Sequence, residues 1–219
     1  MSKKLALIHT SPSLTPLFTS LCSRWLPEVS IFHMVDESLI KNTIEAGYLE
    51  KVTSRRVIAQ VESARLAGAD AVLVTCSSIG AAVTQAASLF DFPVVRIDDA
   101  MAERAVHIGH RLGVLATLQT TLAPTSALVR SKSNGHDVTI VDRLIEGAFD
   151  AVMAGDGATH DQLVRKALTE LIPQVDCIVL AQASMARVLD TMEPSSITIP
   201  VLSSPELAVQ RVAEVMSTN

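Results

Sequence analysis

The chain has 219 residues, of which 48% are hydrophobic and 3% are aromatic, enough for one compact unit or two small lobes with a substantial core. Its formal net charge of -5 provides no basic stripe for phosphates, so we expect no nucleic-acid partner. Apolar runs are shorter than the roughly 20 residues of a spanning helix, and the N-terminal apolar stretch is too short for a signal peptide; we expect no membrane partner and a cytoplasmic location.

Strands are predicted to alternate with helices from the start of the chain, which is typical of the α/β class. The apolar run at 5–9 ends in "TSPS", and the helix after it places Phe18, Leu21, Cys22 and Trp25 on one face. The next strand, "VSIFHMV", leads into a helix that either Asp36 or Ser38 can cap. An amphipathic helix then follows and is closed by Gly68.

The third predicted strand ends in unusual chemistry. In "AVLVTCSSIG", residues 71–80, an apolar run is followed by a thiol, two hydroxyls and a glycine. A helix is predicted from about 79 to 89, then the short strand "FPVVRI", then a helix that starts near Asp98. Cys22, Cys76 and Cys177 form no CxxC pair and no metal-ligand spacing, so we expect three free thiols in a reducing compartment.

An internal repeat organises the chain. "LALIHT" at 5–10 matches "LGVLAT" at 112–117, "ADAVLVTCSS" at 69–78 matches "VDCIVLAQAS" at 175–184, and "FPVV" at 92–95 matches "IPVL" at 199–202. The three offsets differ by one residue, which favours duplication over chance similarity of apolar strands. We predict an α/β fold with two similar pseudo-symmetric lobes, each a parallel sheet flanked by helices. The first lobe comprises 1–98 plus 204–219 and the second 99–203.

Ligands of parallel sheets bind beyond the carboxyl ends of the strands. We therefore expect an active-site cleft between the lobes, lined by the residues that follow four predicted strands. These candidate substrate-binding residues are Thr10, Ser11, Ser77, Ser78, Thr117, Thr120, Ala183 and Ser184, together with the candidate catalytic residues Cys76 and Gln182.

The three segments "VLVTCSSIG", "GVLATLQTT" and "IVLAQASMA" resemble the aspartate/glutamate racemase superfamily, which includes hydantoin racemases, maleate isomerases and arylmalonate decarboxylases. "VDESL" at 35–39 is similar to the shorter-chain branch near the hydantoin racemases and decarboxylases. The resemblance implies proton transfer by one cysteine from each lobe, with no cofactor and no metal. By that match Cys76 is the thiol of the first lobe, and the substrate is a small carboxylate, an amino-acid derivative or a cyclic ureide. It also implies a homo-oligomer.

The second lobe departs from the family pattern because Gln182 stands where racemases carry their other cysteine. An amide donates and accepts hydrogen bonds but takes no proton near neutral pH. Cys177 lies five residues earlier on the same predicted strand, roughly 16 Å away and on the opposite face, so it cannot replace that base. It matches Ala71 in the repeat, which indicates a small buried residue.

Three functions remain open from the sequence. The first is a cofactor-independent isomerase or racemase that uses Cys76, with Gln182 orienting the substrate. The second is a one-sided lyase or decarboxylase at the same site, and the third is a carboxylate-binding protein without catalysis. At the start of a helix, the thiolate of Cys76 would be favoured by the helix dipole.

Each candidate also has a purely structural interpretation. Cys76 is compatible with a small buried residue, and Thr117, Thr120 and Ser184 with helix caps. His9 either reaches the cleft or is a hydrogen-bonded core histidine.

Three further features are interpreted as structural. Asp36 and Glu37 indicate a helix start, and His107, His110 and Glu103 a solvated helix face without a metal. The glycine-rich stretch at 154–161 is too short for a phosphate loop, and Thr159 or Asp161 is expected to cap the helix after it.

Overall fold

The computed structural model describes residues 3–135 and 137–218, in which strands and helices alternate. The first four strands and their helices are β1 (Lys4–His9), α1 (Thr15–Trp25), β2 (Ser30–Val35), α2 (Glu37–Ala46), α3 (Lys51–Leu66), β3 (Ala71–Val74), α4 (Gly80–Ala87) and β4 (Val94–Arg96). The rest are α5 (Asp99–Ile108), β5 (Arg111–Ala116), α6 (Gln119–Lys132), β6 (Thr139–Leu144), α7 (Ala148–Met153), α8 (Gly157–Leu171), β7 (Cys177–Leu180), α9 (Ala186–Leu189), β8 (Val201–Ser203) and α10 (Ser204–Ser217). Within the described ranges, no helix combines the length and apolarity needed to cross a membrane.

Two compact units make up the chain. The first unit is Met1–Ala100 with Pro205–Asn219, and the second unit is Met101–Ser204. Each contains one four-stranded parallel sheet, with strand order β2-β1-β3-β4 in the first and β6-β5-β7-β8 in the second. The predicted α/β class with two parallel-sheet lobes is therefore confirmed.

The strand registers of the two units follow the internal repeat. Leu5 of β1 pairs with Ala71 of β3, and Leu112 of β5 pairs with Cys177 of β7. The side chain of Asp70 accepts a hydrogen bond from the backbone N–H of Lys4 at 2.8 Å, and Asp176 accepts one from Arg111 at 2.7 Å. Cys177 is fully buried at the position of Ala71, as the repeat predicts.

The sheet of the first unit is buried on both faces, as parallel sheets require. Leu5 and Leu7 of β1 pack with α1 and α10, whereas Ala6 and Ile8 pack with α3 and α4, because side chains alternate along a strand. Phe18 and Cys22 of α1 lie in the first of these cores as predicted. The placement of Trp25 on that buried face is wrong, since its side chain is 40% exposed and its indole N–H donates to Glu206.

The core of the second unit lies between its sheet and α8, where Leu115, Leu168 and Leu180 are fully buried. The helix cap predicted here is wrong. Asp156 caps α8 by accepting a hydrogen bond from the backbone N–H of Thr159 at 3.0 Å. Asp161 lies inside the helix and accepts from Arg187. Asp156 is the residue before the first helical turn, where a carboxylate can satisfy a free N–H group.

Candidate functional site

The β3 strand of the first unit delivers Cys76 to the carboxyl edge of the sheet. Residues Ala71–Val74 are fully buried, and the chain stays extended through Cys76, with φ -133° and ψ 117°. A 3₁₀ turn, Ser77–Ile79, then leads into α4 at Gly80. A turn of this kind directs backbone N–H groups back toward the residue that precedes it.

Four donors surround the sulfur of Cys76. Burial raises the pKa of this thiol above its ordinary value, while hydrogen bonds from the Thr10 hydroxyl, the backbone N–H groups of Ser78 and Ile79, and the Ser78 hydroxyl lower it. Burial outweighs the donors, because an ionised sulfur loses more hydration than these contacts return. The expectation that the helix start favours the thiolate is therefore wrong in its net effect, and Cys76 is a neutral thiol near pH 7.

The other hydroxyls predicted in the first unit divide into two groups. Thr10, Ser77 and Ser78 are each at most 6% exposed, and Thr10 and Ser78 bond to the sulfur. Ser11 instead turns to its own loop, where its hydroxyl contacts the hydroxyl of Ser13 at 2.8 Å. The hydroxyls of Thr10 and Ser78 thus meet at Cys76, whereas the hydroxyl of Ser11 bonds within its own loop.

The matching turn in the second unit carries Gln182. Its backbone is extended, with φ -134° and ψ 138°, and a 3₁₀ turn, Ala183–Met185, leads into α9. The side-chain oxygen Oε1 accepts the backbone N–H of Thr117 at 2.6 Å and the Thr117 hydroxyl at 2.9 Å. Because a backbone N–H only donates, the oxygen must face Thr117. The amide Nε2 is thus the end of Gln182 left for another acceptor.

The helix-capping interpretation of the second-unit hydroxyls does not hold. Leu118 precedes α6 without a side-chain cap, and Thr117 donates to Gln182 instead. Thr120 Oγ1 is buried and has no partner among residues 3–135 and 137–218. A buried hydroxyl without a partner is costly unless water or a ligand bonds it, so Thr120 stays a candidate. Ala183 and Ser184 are partly exposed in the 3₁₀ turn.

His9 is a hydrogen-bonded core histidine. Its side chain is fully buried, Nδ1 lies 2.8 Å from the hydroxyl of Thr75, and Nε2 lies 2.8 Å from Nδ1 of His33. Burial, and then His33, lower the pKa of His9 to about 4. Burial also lowers the pKa of His33, whose Nε2 lies 3.0 Å from the hydroxyl of Thr19. The sequence pattern missed these partners because they depend on strand register.

A buried ion pair supports the turn after Cys76. The guanidinium of Arg96 donates to both carboxylate oxygens of Asp98, at 2.7 and 3.0 Å, and Asp98 is fully buried. The same guanidinium packs on Gly80, where a Cβ would lie 2.5 Å from it. Sequence analysis placed Asp98 near a helix start but did not predict this pair; the glycine directly after "CSSI" was its visible signal.

The remaining polar candidates have structural partners. Asp36 caps α2 by accepting the backbone N–H of Ser38 at 3.0 Å, and it also accepts from Arg56. The Nδ1 atoms of His107 and His110 lie 2.7 Å from the Glu103 carbonyl and 3.0 Å from the Asp137 carbonyl. In the part of the chain that the structure describes, no three His, Cys, Asp or Glu side chains are grouped to hold a metal ion.

The sequence matches a known family, and the fold matches known structures. The model of the Asp/Glu/Hydantoin racemase family matches residues 7–212. An allantoin racemase from Klebsiella pneumoniae superposes with a TM-score of 0.73 at 18% identity, covering 99% of this chain and 89% of that one. A glutamate racemase from Francisella tularensis gives 0.75 at 15%, covering 100% and 82%. An allantoin racemase from Pseudomonas fluorescens gives 0.68 at 19%, covering 99% and 91%. A comparison with curated proteins gives no match.

Proposed function

Because the chain belongs to the Asp/Glu/Hydantoin racemase family, we propose that it is a cofactor-independent isomerase of the racemase type. Its substrate is a small carboxylate, an amino-acid derivative or a cyclic ureide. The family membership and the racemases with the same fold support this class of substrate, since the structural neighbours act on allantoin, a ureide, and on glutamate.

One observation carries the proposal: Cys76 Sγ ends a buried strand and is surrounded by four hydrogen-bond donors. A structural cysteine needs no such set, because a buried thiol behaves as a small apolar side chain. Donors of this number stabilise sulfur when it becomes negative during proton transfer. As a thiolate Cys76 takes a proton from a carbon next to a carbonyl, and as a thiol it returns one.

Gln182 has a different role in this proposal. Its Oε1 is held by Thr117, so Nε2 is oriented to donate to a carbonyl or carboxylate oxygen of the substrate. We assign the other substrate oxygens to a set of hydroxyls and backbone N–H groups in the two turns and the strand ends beside them. The residues of this set are Thr10, Ser11, Ser77, Ser78, Thr117, Thr120, Ala183 and Ser184.

A one-sided lyase or decarboxylase is the second candidate. The raised pKa of Cys76 favours it, because a thiol that stays protonated near pH 7 is an acid ready to protonate a carbanion. Gln182 favours it as well, since an amide cannot serve as the opposing base. A binding protein without catalysis retains the same donors and predicts no chemistry.

Isotope exchange separates these functions. The protein is incubated in D₂O with chiral amino acids, hydantoins, allantoin and arylmalonates, and products are followed by NMR and chiral chromatography. Deuterium incorporation with inversion supports the isomerase. Carbon dioxide release, or incorporation with retained handedness, supports the lyase. Saturable binding without exchange rejects both enzymes.

Two further expectations are kept as proposals. We propose a homo-oligomer on the family resemblance, which light scattering of the purified chain tests directly. A monomer at micromolar concentration contradicts it. We also propose a cytoplasmic location, checked by cell fractionation.

A further inference from the structure

Side-chain contacts join the ends of β1 and β3 on both faces of the sheet. On the face packed by α3 and α4, the Thr10 hydroxyl bonds to Cys76 Sγ. On the opposite face, packed by α1 and α10, His9 bonds to Thr75. Neighbouring residues of a strand point to opposite faces, so the His9–Thr75 contact fixes the same backbone that presents Thr10 and Cys76.

The second unit lacks one of these contacts. By the offsets of the repeat, Thr117 and Gln182 stand for Thr10 and Cys76, and they are hydrogen-bonded to each other. Ala116 and Ala181 occupy the positions of His9 and Thr75 and have no side-chain polar atoms. The first unit, which carries the Cys76 thiol, therefore has the histidine contact, and the second unit, which carries the Gln182 amide, lacks it.

The contacts of His9 fit two neutral arrangements of hydrogens. The chain Thr75–His9–His33–Thr19 has three internal contacts, and the hydroxyls of Thr75 and Thr19 also reach the carbonyls of Ile8 and Thr15, at 3.2 and 2.9 Å. Five contacts thus share four hydrogens when both rings are neutral. In one arrangement the exposed Thr19 donates its hydroxyl hydrogen to His33, and the buried Thr75 donates to the Ile8 carbonyl. In the other, Thr75 donates to His9, and the Ile8 carbonyl keeps its bond from the backbone N–H of Thr75.

In the first arrangement His9 holds its hydrogen on Nδ1 and donates it to Thr75. His33 then donates from Nδ1 to Nε2 of His9. One additional proton, taken up at the more exposed His33, fills the fifth contact and leaves the His9 tautomer unchanged. A second proton would place two N–H groups against each other between the rings.

We propose that His9 is a positioning residue for Cys76, which acts through its Nδ1–H bond to Thr75 and keeps the hydrogen-bond donors aligned on the sulfur. The proposal deepens the proposed function and rests on it. Without the His9 contact, Thr75 keeps its bonds to the Ile8 carbonyl but loses its link to the side chain of His9, so the end of β3 is held less firmly. The donors from Thr10 and the 3₁₀ turn then lose alignment, and the thiol becomes harder to ionise.

Few other titratable groups bear on the histidine pair. On α1, Cys22 is kept neutral because burial raises its pKa to about 11, and Arg24 is paired with Glu206 of α10. On the other side Phe18 packs on the ring of His9, with centroids 5.7 Å apart. Arg211 of α10 is paired with Glu214. The proton count is thus set mainly by the two rings and the two threonines.

The first test reads the tautomer directly in the intact chain. Two-dimensional ¹H–¹⁵N NMR of ¹⁵N-histidine-labelled protein at pH 5–8 should show His9 with a protonated Nδ1 and an unprotonated Nε2 throughout. Assignment uses the His9→Asn and His33→Gln variants. A His9 ring protonated on Nε2 alone overturns the proposal, whether or not Cys76 proves reactive.

The second test measures iodoacetamide alkylation of Cys76 by peptide mass spectrometry at pH 6–10. At pH values below the pKa of Cys76, His9→Leu should slow alkylation about tenfold, which corresponds to a rise of about one unit in the pKa of this thiol. His9→Asn should stay within about twofold of the original chain, because its amide N–H occupies the place of Nδ1–H. Thr75→Val removes the same hydrogen bond, and valine has nearly the same shape as threonine. It should therefore slow alkylation as much as His9→Leu, and it serves as the test if His9→Leu does not fold.

Unchanged alkylation in Thr75→Val and His9→Leu overturns the positioning role. Equal slowing by His9→Asn and His9→Leu overturns the hydrogen-bond route, since only packing would then matter. Neither measurement uses a substrate. A failure to find racemase or lyase activity is therefore distinguishable from a failure of this inference.

Discussion

The Cys76 turn and the Gln182 turn have the same backbone conformation but different side-chain contacts. Both residues are extended, with φ of -133° and -134°, and both precede a 3₁₀ turn that leads into a helix. In one turn the donors converge on a sulfur, and in the other a threonine binds an amide oxygen. The backbone of the repeat thus fixes where a functional side chain stands, whereas the side chain alone decides whether a proton can be moved.

The surroundings of the two turns differ in the same direction. His9 and Thr75 bond behind Cys76, and Arg96 packs on Gly80 in front of α4. The second unit has alanines at the first two positions, Ala186 in place of Gly80, and Ser203 in place of Arg96. At these four matched positions the polar contacts stand only beside the thiol, where fixed donors can stabilise an ionised side chain.

The largest effect is expected at the thiol itself. Cys76→Ala should lower the rate of substrate deuterium exchange by about 10²–10⁴-fold, the usual contribution of a positioned acid or base. Cys177→Ala is the matched control, because Ala71 occupies the equivalent position of the first unit and packing there already suits alanine. Equal losses in the two variants would show that the rate reports folding and not the chemistry of Cys76.

Gln182→Cys tests whether the two turns can be made equivalent. The new sulfur would face the hydroxyl and N–H of Thr117, as Cys76 faces Thr10. We expect the opposite enantiomer to form about 10²-fold faster than with the original chain, because a second acid–base group becomes available. Chiral chromatography of the product measures this. If Gln182→Cys behaves like Gln182→Ala, the second position does not take part in proton transfer.

The buried histidine makes the first unit sensitive to acid. The pKa of His9 is about 4 in the folded chain and 6.5 when exposed. As the pH falls below 6.5, His9 becomes protonated in the unfolded chain but stays neutral in the folded chain. The free energy of unfolding therefore decreases until about pH 4, where folded His9 also becomes protonated. The pKa difference corresponds to about 3 kcal/mol. Urea titrations at several pH values measure the slope.

The matched variant for that measurement is His9→Asn, which keeps a donor for Thr75 but does not titrate. Its unfolding free energy should fall less between pH 6.5 and 4, by an amount approaching the contribution of His9. An equal decrease in both proteins would assign the acid sensitivity to other groups. At the equivalent position of the second unit, Ala116 has no group that titrates.

Sequence reasoning predicted the features that depend on local pattern. The apolar runs predicted the buried strands, and the offset of the repeat matched Cys177 with Ala71 and predicted a small buried residue, which Cys177 is. Sequence reasoning did not predict the contacts that depend on strand register or the pKa shifts that depend on burial. His33 meets His9 only because β2 pairs with β1, and the raised pKa of Cys76 reflects the desolvation of a folded edge that no spacing reveals.

The smallest effect is expected from exchanging the residues that follow the two turns. In Gly80→Ala the new Cβ lies 2.5 Å from the Arg96 guanidinium, which Asp98 holds by two hydrogen bonds. We expect a loss of about 1–2 kcal/mol in unfolding free energy, since overpacking outweighs the better helix propensity of alanine. The reverse change, Ala186→Gly, removes a Cβ and creates no overlap, so only about 1 kcal/mol of helix propensity is lost. The experiment is urea unfolding of both variants, with Cys76 alkylation as a second measurement. Displacement of Arg96 loosens the first turn of α4, so Gly80→Ala should also slow alkylation while Ala186→Gly should not. A stabilised Gly80→Ala would mean that the guanidinium moves aside freely, and the Arg96–Asp98 pair would then have no part in holding the Cys76 turn.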